Sequence, residues 1–243
     1  MAPDERRAET LAQNHVMTVE LIVLAGEEDA ARAAGELLAE HARAGGDVAL
    51  SGGSSPEAAY RTAARLEPDW SRAEVWWGDE RCVPPDDERS NYRLAKRSLL
   101  DRLEQAPGDI HRIRGEVDPE EAAAEYDAAL HGVRFTLNLL GIGPDGHTAS
   151  LFPNAPGLGE EERLAIAAEP ALEPKVTRVT MTPPALRNAD LIVFLVTGEE
   201  KAEAAAKAFG GPPSRATPAS LIRSDGGRTL AVLDRAAAAL LDH

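Results

Sequence analysis

Residues Leu137–Pro153 read LNLLGIGPDGHTASLFP, and the fold follows from how this stretch is built. An apolar run, Leu137 to Ile142, stops at glycines and a proline. A buried strand that breaks into Gly-Pro-Asp-Gly delivers its next side chains to the open carboxyl edge of a sheet. Open α/β folds place their ligands at that edge. His147 follows directly, with Asp145 two residues before it. It is the histidine, of six, whose setting favours acid–base chemistry. A turn carrying a solvated histidine is the plainer alternative.

The rest of the chain alternates strand and helix around this centre. Val19–Ala25 predicts a strand, Glu27–Ala44 a helix stopped by Gly45 and Gly46, and Asp47–Leu50 a second strand. Ala73–Gly78, Asp109–Arg114, Leu164–Ala168, Arg178–Thr182, Ala189–Thr197 and Thr229–Leu233 predict further strands. Helices are expected over Pro56–Leu66, from the Ser90 cap to about Leu103, from Asp118 to about His131, and after Asp234. Leu151–Pro153 is expected to pack as a short helix. This alternation predicts an α/β fold: a Rossmann-like α/β/α sandwich with a mostly parallel sheet. A small appended lobe is expected around residues 105–115 and 155–180. Residues 1–17 are polar and predict a flexible arm, leaving 18–243 as a single domain.

Composition limits the function. The 243 residues carry 26 basic and 41 acidic side chains, a net charge of −15. That argues against nucleic acid and against anionic membranes as partners. Apolar runs such as Leu191–Val196 are far shorter than the roughly 20 residues of a membrane span. The opening MAPDERRAET lacks the apolar core of a secretory signal, and one cysteine permits no internal disulfide. A cytoplasmic location is expected, as a monomer or weak homo-oligomer. Cys82 reads as a packing residue rather than a nucleophile. No cofactor is expected, and no His, Cys and carboxylate cluster has metal-ligand spacing.

An anionic ligand would be repelled by the average field, so its site needs local cations and backbone N–H groups. SGGSSP, residues Ser51–Pro56, supplies a strand end, two glycines and a helix start, the physical parts of a phosphate cradle. It matches neither GK[ST], GxGxxG nor GxSxG, and a plain strand-to-helix turn explains it equally well. Asp79-Glu80-Arg81 stands where the third strand breaks. Lys201 lies in a first helical turn, where a cation is disfavoured, so its placement points to a task.

Four stretches together resemble one family: SGGSSP (51–56), WWGDERCVP (76–84), LLGIGPDGHTASLFP (139–153) and RVTMTPPALRNADLIVFLVTGEEKA (178–202). They are similar to the signatures of the 6-phosphogluconolactonase family, which shares a superfamily with glucosamine-6-phosphate deaminase and, more distantly, ribose-5-phosphate isomerase. The resemblance implies a carboxylic ester hydrolase that converts 6-phospho-D-glucono-1,5-lactone to 6-phospho-D-gluconate in the oxidative pentose phosphate pathway. The deaminase pattern has Asp-Glu-Tyr where this chain has Asp79-Glu80-Arg81, and a glutamate where it has Phe152. Phe152 transfers no proton, which fits a lactone that needs no ring opening to an aldehyde.

On this reading His147 is the general base for the attacking water, and Asp145 is a candidate orienter. Asp79 positions substrate or water. Gly52, Gly53 and Ser54 offer backbone N–H groups to the phosphate, with Arg81, Arg178 and Lys201 as its cations. Two other functions fit parts of the pattern: a deaminase or isomerase on the same scaffold, and a non-catalytic sugar-phosphate sensor.

Overall fold

The computed structural model describes residues 19–170 and 175–241. The arm expected over residues 1–17 lies outside them. The first half of the chain forms β1 (Val19–Leu24), α1 (Glu27–Ala44), β2 (Gly46–Leu50), α2 (Ser54–Leu66), β3 (Ala73–Trp77), β4 (Asp79–Arg81), α3 (Asn91–Ser98) and β5 (Asp109–His111). The second half forms α4 (Pro119–Leu130), β6 (Phe135–Leu140), β7 (Ala165–Ala168), β8 (Arg178–Met181), α5 (Pro183–Arg187), β9 (Leu191–Val196), α6 (Ala202–Ala205) and β10 (Arg228–Asp234).

Seven strands make one sheet in the order β1-β10-β9-β6-β2-β3-β5, and every pairing in it is parallel. From β2 the chain moves outward to β3 and β5. It then returns to lay β6 on the other side of β2 and moves outward the opposite way. The β2/β6 boundary is therefore the switch point, and the loops leaving these two strands diverge and open a crevice. SGGSSP follows β2, and GIGPDGHT follows β6.

The low aromatic content shapes the packing. β9 is buried along its whole length, as expected for a strand covered on both faces. Alanines 30, 34, 42, 59 and 63 are fully or almost fully buried, so α1 and α2 approach closely. A Cβ on Gly35 of α1 would stand 2.6 Å from the Ala59 carbonyl oxygen of α2, so only glycine fits that crossing.

Several elements differ from the sequence reading. Asp109–His111 joins the main sheet beside β3, not the small lobe. The lobe is the antiparallel sheet β4-β8-β7: β7 and most of β8 fall in the expected 155–180 stretch, and Asp79–Arg81, from the break after β3, adds its third strand. The third helix stops at Ser98, whose hydroxyl donates to the Leu94 carbonyl, and a 3₁₀ turn follows over Leu100–Arg102. Residues 151–153 form no helix; Thr148 bridges to Leu151, and Ala149 and Asn154 take positive φ. After β10, the Asp234 carboxylate accepts from the Ala237 N–H. The Ala239 and Leu241 N–H groups then reach back only three residues, giving turns instead of a helix.

The short strand β4 carries an unusual load. Its side chains alternate, so Asp79 and Arg81 share one face and Glu80 takes the other. Glu80 is 3% exposed. Its carboxylate accepts from the Arg81 N–H, the Ser90 hydroxyl, and the Asn91 and Tyr92 N–H groups at 2.7–2.9 Å. Burial pushes its pKa up against those four donors. It thus caps the N-terminus of α3 from a neighbouring strand. Replacing it, Glu80→Ala, strands three donors near α3 and is expected to cost about 3 kcal/mol in urea unfolding. A loss below about 1 kcal/mol would contradict this role.

Burial, with Glu80, Glu169 and Asp118 nearby, pushes the half-buried Cys82 thiol up to about 11. At pH 8 iodoacetamide is expected to alkylate it roughly 100-fold more slowly than an unstructured thiol. A normal rate would show that the thiol is not shielded.

Candidate active site

The crevice is built by the two diverging loops, with one wall supplied by the lobe. Ser51, at the end of β2, is fixed by Tyr60. Its N–H donates to the phenol oxygen at 2.9 Å, and the phenol O–H donates to its carbonyl at 2.6 Å. Tyr60 is fully buried, and burial raises its pKa, so the phenol stays protonated and able to donate. Gly52 then passes Asn91 so closely that a Cβ would lie 1.9 Å from Asn91 Oδ1. Gly53 has φ +106°, open to glycine without strain. α2 starts immediately after, and no side chain caps its first N–H groups. They carry the positive end of the helix dipole into the crevice.

Two adjoining recesses result. One is lined by Gly52–Pro56, Thr197 and Lys201, and it holds the N-terminus of α2. Ser55 Oγ and Thr197 Oγ1, 2.7 Å apart, tie this loop to the end of β9. Lys201 stands in a 3₁₀ turn, Glu199–Lys201, and its ammonium forms no ion pair among the described residues. The second recess is lined by Ser51, Asp79, Arg81, Asn91, Ala149 and Arg178. Gly52, Gly53, Gly141 and Ile142 border both. The glycine turn therefore places Lys201 on one side and the two arginines on the other.

Arg81 and Arg178 are direct cross-strand partners on β4 and β8. Like charges directly opposite are destabilising. Burial lowers the pKa of Arg178, Asp79 opposes that, and Arg81 adds to it. Asp79 itself is 6% exposed. One of its oxygens accepts from Ser150 Oγ at 2.6 Å and the other from Asn91 Nδ2 at 3.1 Å. Those two donors fix the position of the carboxylate beside the two arginines. The sequence reading assigned no role to Ser150, Glu80 or Asn91. Their signal was weak, since each works by supporting a neighbour.

His147 lines neither recess directly. Its Nδ1 lies 2.6 Å from Asp145 Oδ1, and its N–H donates to the same oxygen at 3.1 Å. Burial pushes the Asp145 carboxyl up. The hydrogen bond and charge of the His147 ring outweigh it, and the carboxyl titrates below its ordinary range. An ionised carboxylate only accepts, so in the neutral imidazole Nδ1 carries the proton and Nε2 presents its lone pair. Nε2 has no protein partner among the described residues. The ring lies against Gly143, where a Cβ would come within 2.0 Å of Nδ1. Phe152 links this dyad to the arginines. Its ring is 5.0 Å from the His147 ring, and its centroid is 5.6 Å from Arg178 Cζ.

A larger cavity, about 640 Å³, lies between residues 150–160 and β7, but its arginine, Arg163, is paired to Glu160. The site is therefore placed by its chemistry rather than by cavity size. Among the described residues no group of three or more His, Cys, Asp or Glu is arranged to hold a metal ion.

Residues 18–231 match the family model described as glucosamine-6-phosphate isomerases/6-phosphogluconolactonase. This chain belongs to that family. The 6-phosphogluconolactonase of Streptomyces coelicolor is 36% identical over 249 residues, covering 92% of this chain and 95% of that protein. The enzyme of the same name from Haemophilus influenzae is 36% identical over 203 residues, covering 80% and 87%. The solved structure of 6-phosphogluconolactonase from Trypanosoma cruzi superposes with a TM-score of 0.83 at 26% identity, covering 93% of this chain and 98% of that one. The family model spans both activities, so it leaves the choice between them to the relatives and to the residues.

Gly52 offers a direct check on the crevice. Gly52→Ala is expected to push Asn91 from its place and weaken competitive inhibition by inorganic phosphate at least about 10-fold. Unchanged inhibition would show that the loop is not part of an anion site.

Proposed function

We propose that this chain hydrolyses 6-phospho-D-glucono-1,5-lactone to 6-phospho-D-gluconate, the lactonase step of the oxidative pentose phosphate pathway. The relatives named 6-phosphogluconolactonase support the reaction. The observation that carries the mechanism is the Asp145–His147 dyad set one aromatic ring away from the paired Arg81 and Arg178.

A δ-lactone is an activated ester. Its hydrolysis needs a base for the attacking water, compensation for the carbonyl oxygen as it gains charge, and a hold on the phosphate. His147 Nε2 takes the proton from water, and Asp145 holds the ring in the tautomer that leaves Nε2 free. The imidazolium that forms is stabilised by the same carboxylate. Water adds to C1, the ring C–O bond breaks, and the ring oxygen leaves as the C5 hydroxyl by taking from His147 Nε2 the proton that the water gave up, which regenerates the base. The phosphate sits where the two recesses meet. It accepts from the N–H groups of Gly53 and Ser54, with Lys201 on one side and Arg81 and Arg178 on the other. This local charge answers the repulsion expected of a chain with net charge −15. Asp79 steadies the arginines and accepts from substrate hydroxyls; it takes no proton.

Phe152 favours this reaction over sugar-phosphate deamination. Its side chain has no acid–base capacity and fills the space between His147 and Arg178. The reading places the enzyme in the cytoplasm. No helix of the described residues is long and apolar enough to cross a membrane.

His147→Ala is expected to lower kcat on freshly prepared 6-phosphogluconolactone by at least about 100-fold, with 6-phosphogluconate binding retained. Full activity in this variant would remove His147 as the base. Ammonia release from glucosamine 6-phosphate by the unaltered protein would overturn the substrate assignment.

A further inference from the structure

Arg223 is a buried cation without a counter-charge. It is 9% exposed, no carboxylate pairs with it among the described residues, and burial lowers its pKa to about 10. A buried charge with no opposite charge beside it is costly, so its presence calls for a reason. Its guanidinium is spent on backbone carbonyls. One nitrogen donates to Ala219 at 2.8 Å and to Ile222 at 2.7 Å, and the other donates to Ala208 at 2.6 Å. Its Cζ lies 5.7 Å from the centroid of the Phe209 ring, which rests edge-on against Phe194 of β9. The planar fork, with its fixed spread of donors, thus spans two segments of chain at once.

Each of those segments leads to the crevice. Ala208 lies in a π turn, Ala206–Gly210, which continues α6 and ends the helical run that begins at Lys201. Ala219 lies in a 3₁₀ turn, Pro218–Leu221, and its N–H donates to the Gly146 carbonyl at 3.0 Å. That carbonyl belongs to the same peptide group as the His147 N–H, which donates to Asp145 Oδ1 at 3.1 Å. The same carboxylate oxygen meets the ring nitrogen of His147. One planar peptide is therefore gripped by Ala219 on one edge and by Asp145 on the other. Gly146, at φ +87°, is pressed against the same turn: a Cβ there would lie 2.9 Å from the methyl carbon of Thr217.

Resting on the role proposed above for His147, we infer that Arg223 is a positioning residue for the Asp145–His147 dyad. Through Ala219 it fixes the Gly146–His147 peptide, and through Ala208 it ties that peptide to the helix that starts at Lys201. The base and a phosphate cation are thereby held at one separation. The reaction needs this, because the lactone carbon and the phosphate are joined by a short, fixed length of sugar. A misplacement of about 1 Å at the reacting atoms can cost on the order of 100-fold in rate.

The test is Arg223→Lys, which keeps the charge and loses the fork. kcat for 6-phosphogluconolactone is expected to fall about 10-fold or more, while KM and competitive inhibition by inorganic phosphate change less than about 2-fold. The Nδ1 resonance of His147 in NMR spectra of the free protein, assigned by its absence from His147→Ala, is expected to shift. Ser220→Ala loosens the same turn with Arg223 in place, because the Ser220 hydroxyl accepts from the Ser214 N–H and donates to the Thr217 carbonyl. It is expected to give a smaller loss of the same kind, and it supplies the same readings where Arg223→Lys does not fold. A lower melting temperature with kcat and the His147 resonance both unchanged would make Arg223 structural and overturn the inference. A fall in kcat with the resonance unmoved would overturn it too. Because the resonance is read without substrate, a shifted resonance with full activity would contradict the proposed role of His147 and uphold the positioning.

Discussion

Two guanidinium groups face each other across β4 and β8, and the site is arranged around making that juxtaposition tolerable. Arg81 and Arg178 occupy matching positions on adjacent strands. In water such a pair would swing apart, but Arg178 is only 4% exposed. Asp79 supplies the opposing charge from the same face of β4, two residues from Arg81. It is itself held by Ser150 from the loop after His147 and by Asn91 from the start of α3. The repulsion is thus compensated without being cancelled. Two cations against one carboxylate leave a local positive excess in a protein that is strongly negative overall. That excess is what an anionic substrate meets.

The same three-residue strand joins the lobe to the main sheet. Strand alternation sends Asp79 and Arg81 into the crevice and Glu80 to the opposite side, where it caps α3. Asn91, the first residue of α3, then reaches back to Asp79 and presses on Gly52. Lobe, helix and phosphate-loop geometry are consequently coupled through side chains on a single short segment. A disturbance at any one of them is transmitted to the glycine turn, because that turn has no slack.

Much of this was legible in the amino-acid order. The break from Leu137–Ile142 into glycines identified the central strand and the loop carrying His147. Alternation of apolar runs with alanine-rich helices identified a parallel sheet. SGGSSP was recognisable as a glycine turn ahead of a helix. What could not be read was set by partners distant in sequence. DER carries no strand signal of its own, because three charged residues rarely form one, and only pairing with residues 178–180 makes it a strand. DIH was placed in the lobe because its length says nothing about which sheet it joins. Residues 235–240 have helical composition, but after the Asp234 cap their hydrogen bonds close turns.

The central claim is that one crevice holds a phosphate between Lys201 and the arginine pair while presenting the adjoining sugar carbon to His147. A crystal structure of the complex with 6-phosphogluconate tests it most directly. The account predicts phosphate oxygens within hydrogen-bond distance of the Gly53–Ser54 N–H groups and of cations from both recesses. It also predicts the C1 carboxylate beside His147 Nε2, directly or through one water. A phosphate bound elsewhere, or a C1 carboxylate turned away from His147, would contradict it.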